Sequence, residues 1–356
     1  MSDAFRELLK KVGSGVHTGK DLSRDEAAAA TRMMLEGEAT PAQIGAFAIA
    51  HRIKRPTPEE LLGMLDAYDL LGPKLSPLKN TFLYQTTVFG NPYDGRSRTA
   101  PVMPVVSLIL RAAGVPVVLH GGARMPTKYG IPAIEIWQGL GVDFAPLNLE
   151  QTQQVFQQTG LGLIYLPQHF PHAQGLVPYR DQIGKRPPFA TAELIWSPYA
   201  GDVHLVAGYV HPPTEERFRE VFDKRGIKHF TLVKGLEGSC DLPCDRTAII
   251  SVENDGDREP KWLKLHPREY GFAATEVPLE SKSVFFEQLR AVLGGHRSPL
   301  TQAAIWSGGF YLWRCGVCPE LTEGLAKAET LLMEGYAAQQ LDKIKAMVSH
   351  IFVKGT

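Results

Sequence analysis

HGGARMPTKYGIPAIEIWQGLGV, residues His120 to Val142, stands between two runs of different period. The run before it, Val115 to Leu119, is short, apolar and β-branched and predicts a buried strand. The run from Ala133 to Leu140 predicts a helix. A strand that turns into a helix through Gly-rich backbone is where α/β proteins bind ligands. The N–H groups at the helix start face the crevice beyond the strand's carboxyl end. The fold and the site are therefore expected to be organised around this segment.

The same alternation continues on both sides. Phe82 to Val88, Leu163 to Leu166, His204 to Val206, His229 to Val233 and Ala248 to Val252 predict further strands. Pro101 to Ala113, Leu149 to Gln158 and Glu215 to Lys224 predict helices between them, and Leu321 to Met333 and Ala337 to Met347 predict two more near the end. Alternating strands and helices imply an α/β fold with a mostly parallel central sheet flanked by helices. Asn254 to Pro278, rich in charge, Pro and Gly, is expected to be surface loop with pieces of strand.

The first eighty residues differ. Ser23-x-x-Glu26, Thr40-Pro41-x-Gln43 and Thr57-Pro58-x-Glu60 are three capping boxes, two with Pro at the first helical position. They predict a small all-helical N-terminal domain, residues 1–78, followed by an α/β domain over 79–356; helices near 178–196 are expected to join the helical domain. Ile44, Phe47, Ala48 and Ile53 form an apolar stripe too wide for an isolated unit, which predicts a homodimer through these helices.

Lys+Arg and Asp+Glu are 38 each, so no global field draws the chain to nucleic acid or acidic membranes. No apolar run reaches the ~20 residues of a membrane span, and MSDAFRELLKK has no signal-peptide apolar region. A cytoplasmic location without membrane contact is expected. Cys240-x3-Cys244 and Cys315-x2-Cys318 lie about seventy residues apart with no His to complete a zinc set, so no zinc is expected.

The central stretch resembles anthranilate phosphoribosyltransferases, which carry His-Gly-Asn-Arg, a downstream Lys-x-Gly and a helix ending in Leu-Gly-Val. His120, Gly121, Lys128, Gly130, Leu140, Gly141 and Val142 match, without gaps to Gly130 and with a short insertion before Leu140. Gly122 and Ala123 replace the Asn-Arg, with Arg124 next to them as a displaced guanidinium. EGEATPAQIGAFAIAHRIKRPTPEEL resembles the same family's helical domain, which implies a dimer contact there.

Three motifs bear on chemistry. FGNPYDGRSRTAPV stands where the family has a Gly-Thr-Gly-Gly-Asp-Gly loop that lets backbone amides approach the pyrophosphate of phosphoribosyl pyrophosphate. Gly90, Asp94 and Gly95 match; Asn91, Pro92 and Tyr93 replace the middle, and Arg98 to Val102 replace an Asn-x-Ser-Thr. Leu119 stands where the family has Lys, and Gly235-Leu236-Glu237-Gly238 where it has an Asp-Glu pair for magnesium. Glu237 with Asp241 is then a weakened Mg²⁺ site. On the acceptor side YLPQHFPHAQGLVPYRDQIGKR matches at His169, Pro171, Pro178, Arg180, Gly184 and Arg186. The resemblance implies that Arg180 contacts the acceptor's carboxylate, as a bidentate guanidinium would.

Arg96, Arg98, Arg124, Lys128, Arg180, Lys185 and Arg186 all fall in loops that this fold gathers at one crevice, with Tyr93, Tyr129, Tyr165 and Phe170 among them. An anionic ligand is expected against Gly90, Asp94, Gly95, Arg96, His120, Gly121, Arg124, Lys128, His169 and Arg180. Two functions follow. One is a phosphoribosyl (pentosyl) transferase of the anthranilate phosphoribosyltransferase type, although the altered donor motifs speak against anthranilate turnover itself. The other is a non-catalytic paralogue that binds nucleic acid through a basic groove.

Overall fold

The computed structural model describes residues 3–15, 17–78, 82–253, 261–272 and 275–354. The chain opens with α1 (Asp3–Gly13), α2 (Arg24–Leu35), α3 (Pro41–Lys54) and α4 (Pro58–Leu71). All three capping boxes form. Ser23 Oγ accepts from the Glu26 N–H at 3.2 Å, and the Glu26 carboxylate accepts from the Ser23 N–H at 2.8 Å. Thr40 with Gln43 and Thr57 with Glu60 repeat this arrangement. Each box satisfies two orphan N–H groups, a contribution of about 1 kcal/mol per cap. Ile44 and Phe47 are covered inside the chain, Phe47 by the ring of Phe5 at 5.4 Å, and only Ile53 of the expected stripe is open to solvent at 69%. The apolar excess that predicted a dimer is thus smaller than the sequence implied, because α1, which the sequence did not announce, absorbs it.

Seven strands follow: β1 (Thr86–Gly90), β2 (Val117–Gly121), β3 (Leu161–Tyr165), β4 (Val203–Gly208), β5 (His229–Val233), β6 (Ala248–Val252) and β7 (Lys261–Leu265). They form one sheet in the order β3-β2-β1-β4-β5-β6-β7, with β1 to β5 parallel and β6 and β7 antiparallel. Between β1 and β4 the order of succession reverses, a topological switch point. Strand β1 begins four residues later than expected. Leu83 is 87% exposed, so the segment from Phe82 cannot belong to a central strand buried on both faces. Strand β2 runs on through His120 and Gly121, which places His120 in the sheet rather than in the turn after it.

The connecting helices are α5 (Met103–Ala112), α6 (Ala133–Gly139), α7 (Leu149–Thr159), α8 (Leu166–His169), α9 (Pro171–Gln174), α10 (Val177–Ile183), α11 (Phe189–Ala192) and α12 (Pro212–Lys224). The chain closes with α13 (Lys282–Leu293), α14 (Pro299–Arg314), α15 (Leu321–Met333) and α16 (Tyr336–Lys354). Period-two alternation divides the sheet between two cores. Val88, Val118, Leu205 and Leu232 face the helical unit, whereas Phe89, Leu119, Val206 and Val233 face α5, α6 and α13 to α16. Helix α10 packs on α3 and α11 on α4, and Tyr68, Phe170 and Trp196 meet at centroid distances of 5.3 to 5.7 Å. Within the expected loop from Asn254 to Pro278, β7 and a 3₁₀ turn at Pro267–Tyr270 are formed; residues 254–260 and 273–274 lie outside the described residues.

Candidate functional site

The loops after β1 and β2 are fused at the altered loop that stands where the family has a phosphate-facing glycine loop. Arg96 N–H donates to Ile131 O at 3.3 Å, Ile131 N–H donates to Arg96 O at 2.7 Å, and Gly130 N–H donates to Asp94 O at 2.9 Å. Gly95 has φ +72° and its Cβ would lie 2.6 Å from the Gly130 backbone. A Cβ on Gly90 would lie 1.8 Å from Leu194 O. Both glycines therefore serve close backbone packing.

Immediately beyond this junction, Ser97, Arg98 and Thr99 turn three successive N–H groups toward one point, an anion-binding nest. The Glu237 carboxylate fills it. It accepts from these N–H groups at 3.2, 3.0 and 3.1 Å, and from the Ser97 and Thr99 hydroxyls at 3.2 and 3.1 Å. Arg96 Nε donates to it at 3.3 Å. Glu237 itself sits at φ +54° in the bend after β5. Burial works against its charge, but the three amides and Arg96 outweigh burial and hold its pKa at about 2.

Arg96, 4% exposed, is the hinge of the cluster: its Nη1 donates to Asp241 at 2.7 Å and to Ser239 Oγ at 2.8 Å. Asp94 accepts from Arg186 twice, at 2.8 Å each, and Lys128 Nζ lies 3.7 Å from Asp94 and 3.6 Å from Glu237. Burial pushes the Lys128 pKa down and that of Asp241 up.

The acceptor half is also internally paired. Arg180, 2% exposed, is bonded to the Glu193 carboxylate, with its guanidinium over the Phe189 ring at 5.0 Å. Tyr68 Oη donates to the same carboxylate at 3.2 Å. Burial raises the pKa of Glu193 against the pull of Arg180. Arg180 was expected to meet a ligand's carboxylate; it holds one of the chain's own. His169 likewise has other partners: its Nδ1 accepts from the Tyr165 N–H at 2.9 Å and its Nε2 donates to Leu147 O at 2.8 Å, so it braces the β3–α8 corner. Arg124 forms a surface pair with Glu135 at 2.6 Å.

His120, buried at the end of β2, is bonded through Nδ1 to Tyr93 Oη at 2.5 Å, and its Nε2 has no partner. Burial lowers its pKa to about 3, so it is neutral. It borders a cavity of ≈ 60 Å³ walled by Phe89, Met103, Leu119, Ile131 and Ile136, with Gly121 at its rim. Its lining also carries the polar side chains of Asn91, Arg96, Ser239 and Asp241. Tyr93 and Phe170, 5% and 1% exposed, are core residues and cannot stack on bases.

The expected basic groove loses much of its charge in this arrangement. Arg96, Arg98, Arg124, Lys128, Arg180 and Arg186 each face a carboxylate within 4 Å. Glu193 had one sequence signal, a lone carboxylate inside the apolar run Phe189 to Trp196. Lys234 and Arg246, which join the site from the loops around β5 and β6, had none.

The helical-bundle-domain profile of a glycosyl transferase family matches residues 6–69, and the a/b-domain profile of that family matches residues 95–338. The chain belongs to this glycosyl transferase family. Among similar proteins are the anthranilate phosphoribosyltransferase of Chromobacterium violaceum, 26% identical over 92% of this chain and 94% of that protein, and that of Acetivibrio thermocellus, 28% identical over 94% and 95%. Solved structures share the fold: the anthranilate phosphoribosyltransferase of Thermus thermophilus has a TM-score of 0.79 at 22% identity, covering 98% of this chain and all of that one. The Saccharomyces cerevisiae enzyme in complex with PRPP and Mg has a TM-score of 0.81 at 16% identity, covering 98% and 99%.

In this chain the expected magnesium pair, Glu237 and Asp241, does not fit a cation. Arg96 stands between the two carboxylates, N–H donors surround Glu237, and no group of three or more His, Cys, Asp or Glu among the described residues is placed to hold a metal. The four cysteines are free thiols, with burial raising Cys244 to about 12 and Cys315 to about 11. No helix among the described residues is long and apolar enough to cross a membrane.

Proposed function

We propose that the chain is a phosphoribosyl (pentosyl) transferase of the anthranilate phosphoribosyltransferase type, with a phosphorylated donor at the β1–β4 switch point and an acceptor other than anthranilate. One observation carries this reading. The amides of Ser97 to Thr99, with Lys128 beside them, form an anion receptor at the carboxyl edge of the sheet. In the proposed complex these amides and Lys128 touch the donor's phosphate, while Arg96 and Asp94 hold the receptor in place. The names of the relatives support the reaction class. Positioning and electrostatic stabilisation of an oxocarbenium-like centre need no covalent nucleophile. Arg180 is paired with Glu193 and only 2% exposed, so an acceptor carboxylate does not reach its guanidinium.

Calorimetry with phosphoribosyl pyrophosphate, followed by pyrophosphate-release assays over a panel of acceptors, tests the reading. Donor binding that persists without Mg²⁺, and release only with acceptors lacking a carboxylate, are expected; no donor binding at all sinks it. Two further proposals concern organisation. Residues 1–78 with the helices near 178–196 form one unit and 79–356 the other, supported by the packing of α10 on α3 and α11 on α4. A homodimer through the N-terminal helices is supported by the exposed Ile53 beside Ile49 and Ile183 in an apolar groove. A monomeric mass by light scattering at micromolar concentration contradicts the dimer.

A further inference from the structure

At the carboxyl end of β4 a second groove, of ≈ 500 Å³, lies between the α3–α4 turn, the α10–α11 linker and the start of α12, and its lining includes no Asp or Glu. Arg52, Arg55 and Arg217 stand on its walls, and among the described residues none of the three forms an ion pair. Two of them are aimed by carbonyls, which fix a guanidinium without neutralising it. Arg52 donates to Arg186 O at 2.7 Å, and Arg217 donates to Pro213 O at 2.7 Å and to Pro56 O at 3.4 Å. Burial, and then the charge of Arg55, push the Arg217 pKa down, with Glu216 pulling the other way. Arg55 is the C-cap of α3 and sits at φ +70°, ψ 133°, a conformation that glycine adopts freely and an L residue rarely does. It is exposed, and among the described residues its side chain makes no hydrogen bond. A cation kept in a glycine conformation beside a second cation serves a ligand better than it serves packing. Val210, 44% exposed, with Pro187 and Pro188 gives the groove an apolar wall.

We propose that this groove is an effector site for a small organic dianion, whose charged group sits between Arg55 and Arg217, with Arg52 as the third cation, and whose apolar body lies on Val210, Pro187 and Pro188. Guanidinium forks take a phosphate monoester and a dicarboxylate alike, and the volume suits a molecule of metabolite size. The site uses neither the Ser97–Thr99 amides nor Arg180, and it holds whether or not the chain transfers a pentosyl group. Arg55 belongs to the turn after α3 and Arg217 to α12, so a bound dianion replaces a like-charge repulsion between two distant segments with an attraction to both. Occupation therefore stabilises the folded chain.

The test uses the full chain with phenyl phosphate, phthalate and neutral benzamide as probes, by calorimetry and thermal unfolding at one ionic strength. At least one dianion is expected to bind and raise the unfolding midpoint, and benzamide to do neither; phenyl phosphate alone assigns the site to phosphate esters, phthalate alone to dicarboxylates. Arg217→Gln is expected to weaken the bound dianion about tenfold. Arg55→Gly is expected to weaken it as much, while its midpoint without probe stays equal to wild type or rises, because glycine relieves the positive φ. A purely structural arginine would lower that midpoint. Should Arg217→Gln unfold, Arg55→Gly decides alone. Lys128→Ala, beside the Ser97–Thr99 amides, is expected to leave both affinities unchanged. The proposal is overturned by no saturable binding of either dianion, by Arg55→Gly binding like wild type, or by binding that falls with Lys128 instead. A single-stranded oligonucleotide whose binding needs Arg55, where neither dianion binds, overturns it too and makes the partner a nucleic acid.

Discussion

Arg180 and the Ser97–Thr99 nest each hold a carboxylate of the chain, but the two pairs differ in what surrounds them. Arg180 and Glu193 are both 2% exposed at the side chain, roofed by Phe189 and tied to the helical unit through Tyr68. Glu237 is equally covered at 3%, yet one of its cationic neighbours, Arg98, is 78% exposed and a charged groove opens beside it. A buried pair with apolar walls has no route by which a ligand can enter. A pair on the wall of a charged groove can be exchanged for another anion. The first residue set resembles a substrate contact in sequence and is paired within the chain in space; the second resembles a metal site and has N–H donors around its carboxylate.

That contrast can be broken most forcefully at Glu193. Glu193→Ala leaves a guanidinium buried without its carboxylate and is expected to cost about 3–5 kcal/mol. Replacing both partners, Arg180→Met with Glu193→Leu, is expected to recover most of that loss, because two desolvated charges disappear together. Thermal or urea unfolding reads both; a mild single variant removes the structural role assigned to the pair.

Glu237→Gln is expected to cost less, about 1–2 kcal/mol, since the nest keeps an amide oxygen as acceptor. Its pH dependence sharpens the comparison. The folded pKa is lowered from 4.5 to about 2, so the stabilisation is present above about pH 4.5 and is lost as pH falls toward 2. Between pH 5 and pH 3 wild type should therefore lose more stability in urea than Glu237→Gln. Glu60, held at about 2 by His51 and Lys54 against its burial, contributes a similar loss to both. Parallel losses in the two proteins contradict the nest.

The smallest effect is expected far from both pairs. Cys315→Ser with Cys318→Ser should change stability by at most about 1 kcal/mol, and elemental analysis should find no stoichiometric zinc. One zinc per chain after purification without added metal contradicts this.

What the sequence disclosed follows from range. Capping boxes join residues three apart, so Ser23, Thr40 and Thr57 located three helices correctly. Strand alternation likewise exposed the α/β sheet. Helix α14 was missed because Leu300 to Leu312 is buried nearly all round and has no polar face to set a 3.6-residue period. The ion pairs were out of reach for another reason. Arg96 and Glu237 are 141 residues apart, and nothing local to either indicates the other. Family motifs singled out Arg180, which the structure places on helix α10 rather than in a loop, and Glu237, in the bend after β5, but could not reveal that this chain supplies its own counter-charges.

The most direct measurement follows the two regions together. In ¹H–¹⁵N spectra of wild type and Glu237→Gln titrated with pyrophosphate, the account predicts that the amides of Ser97, Arg98 and Thr99 shift in both proteins, at about tenfold lower concentration in the variant, while the Arg180 side-chain Nε–H stays still. Shifts at Arg180 with silent amides at Ser97 to Thr99 would contradict it.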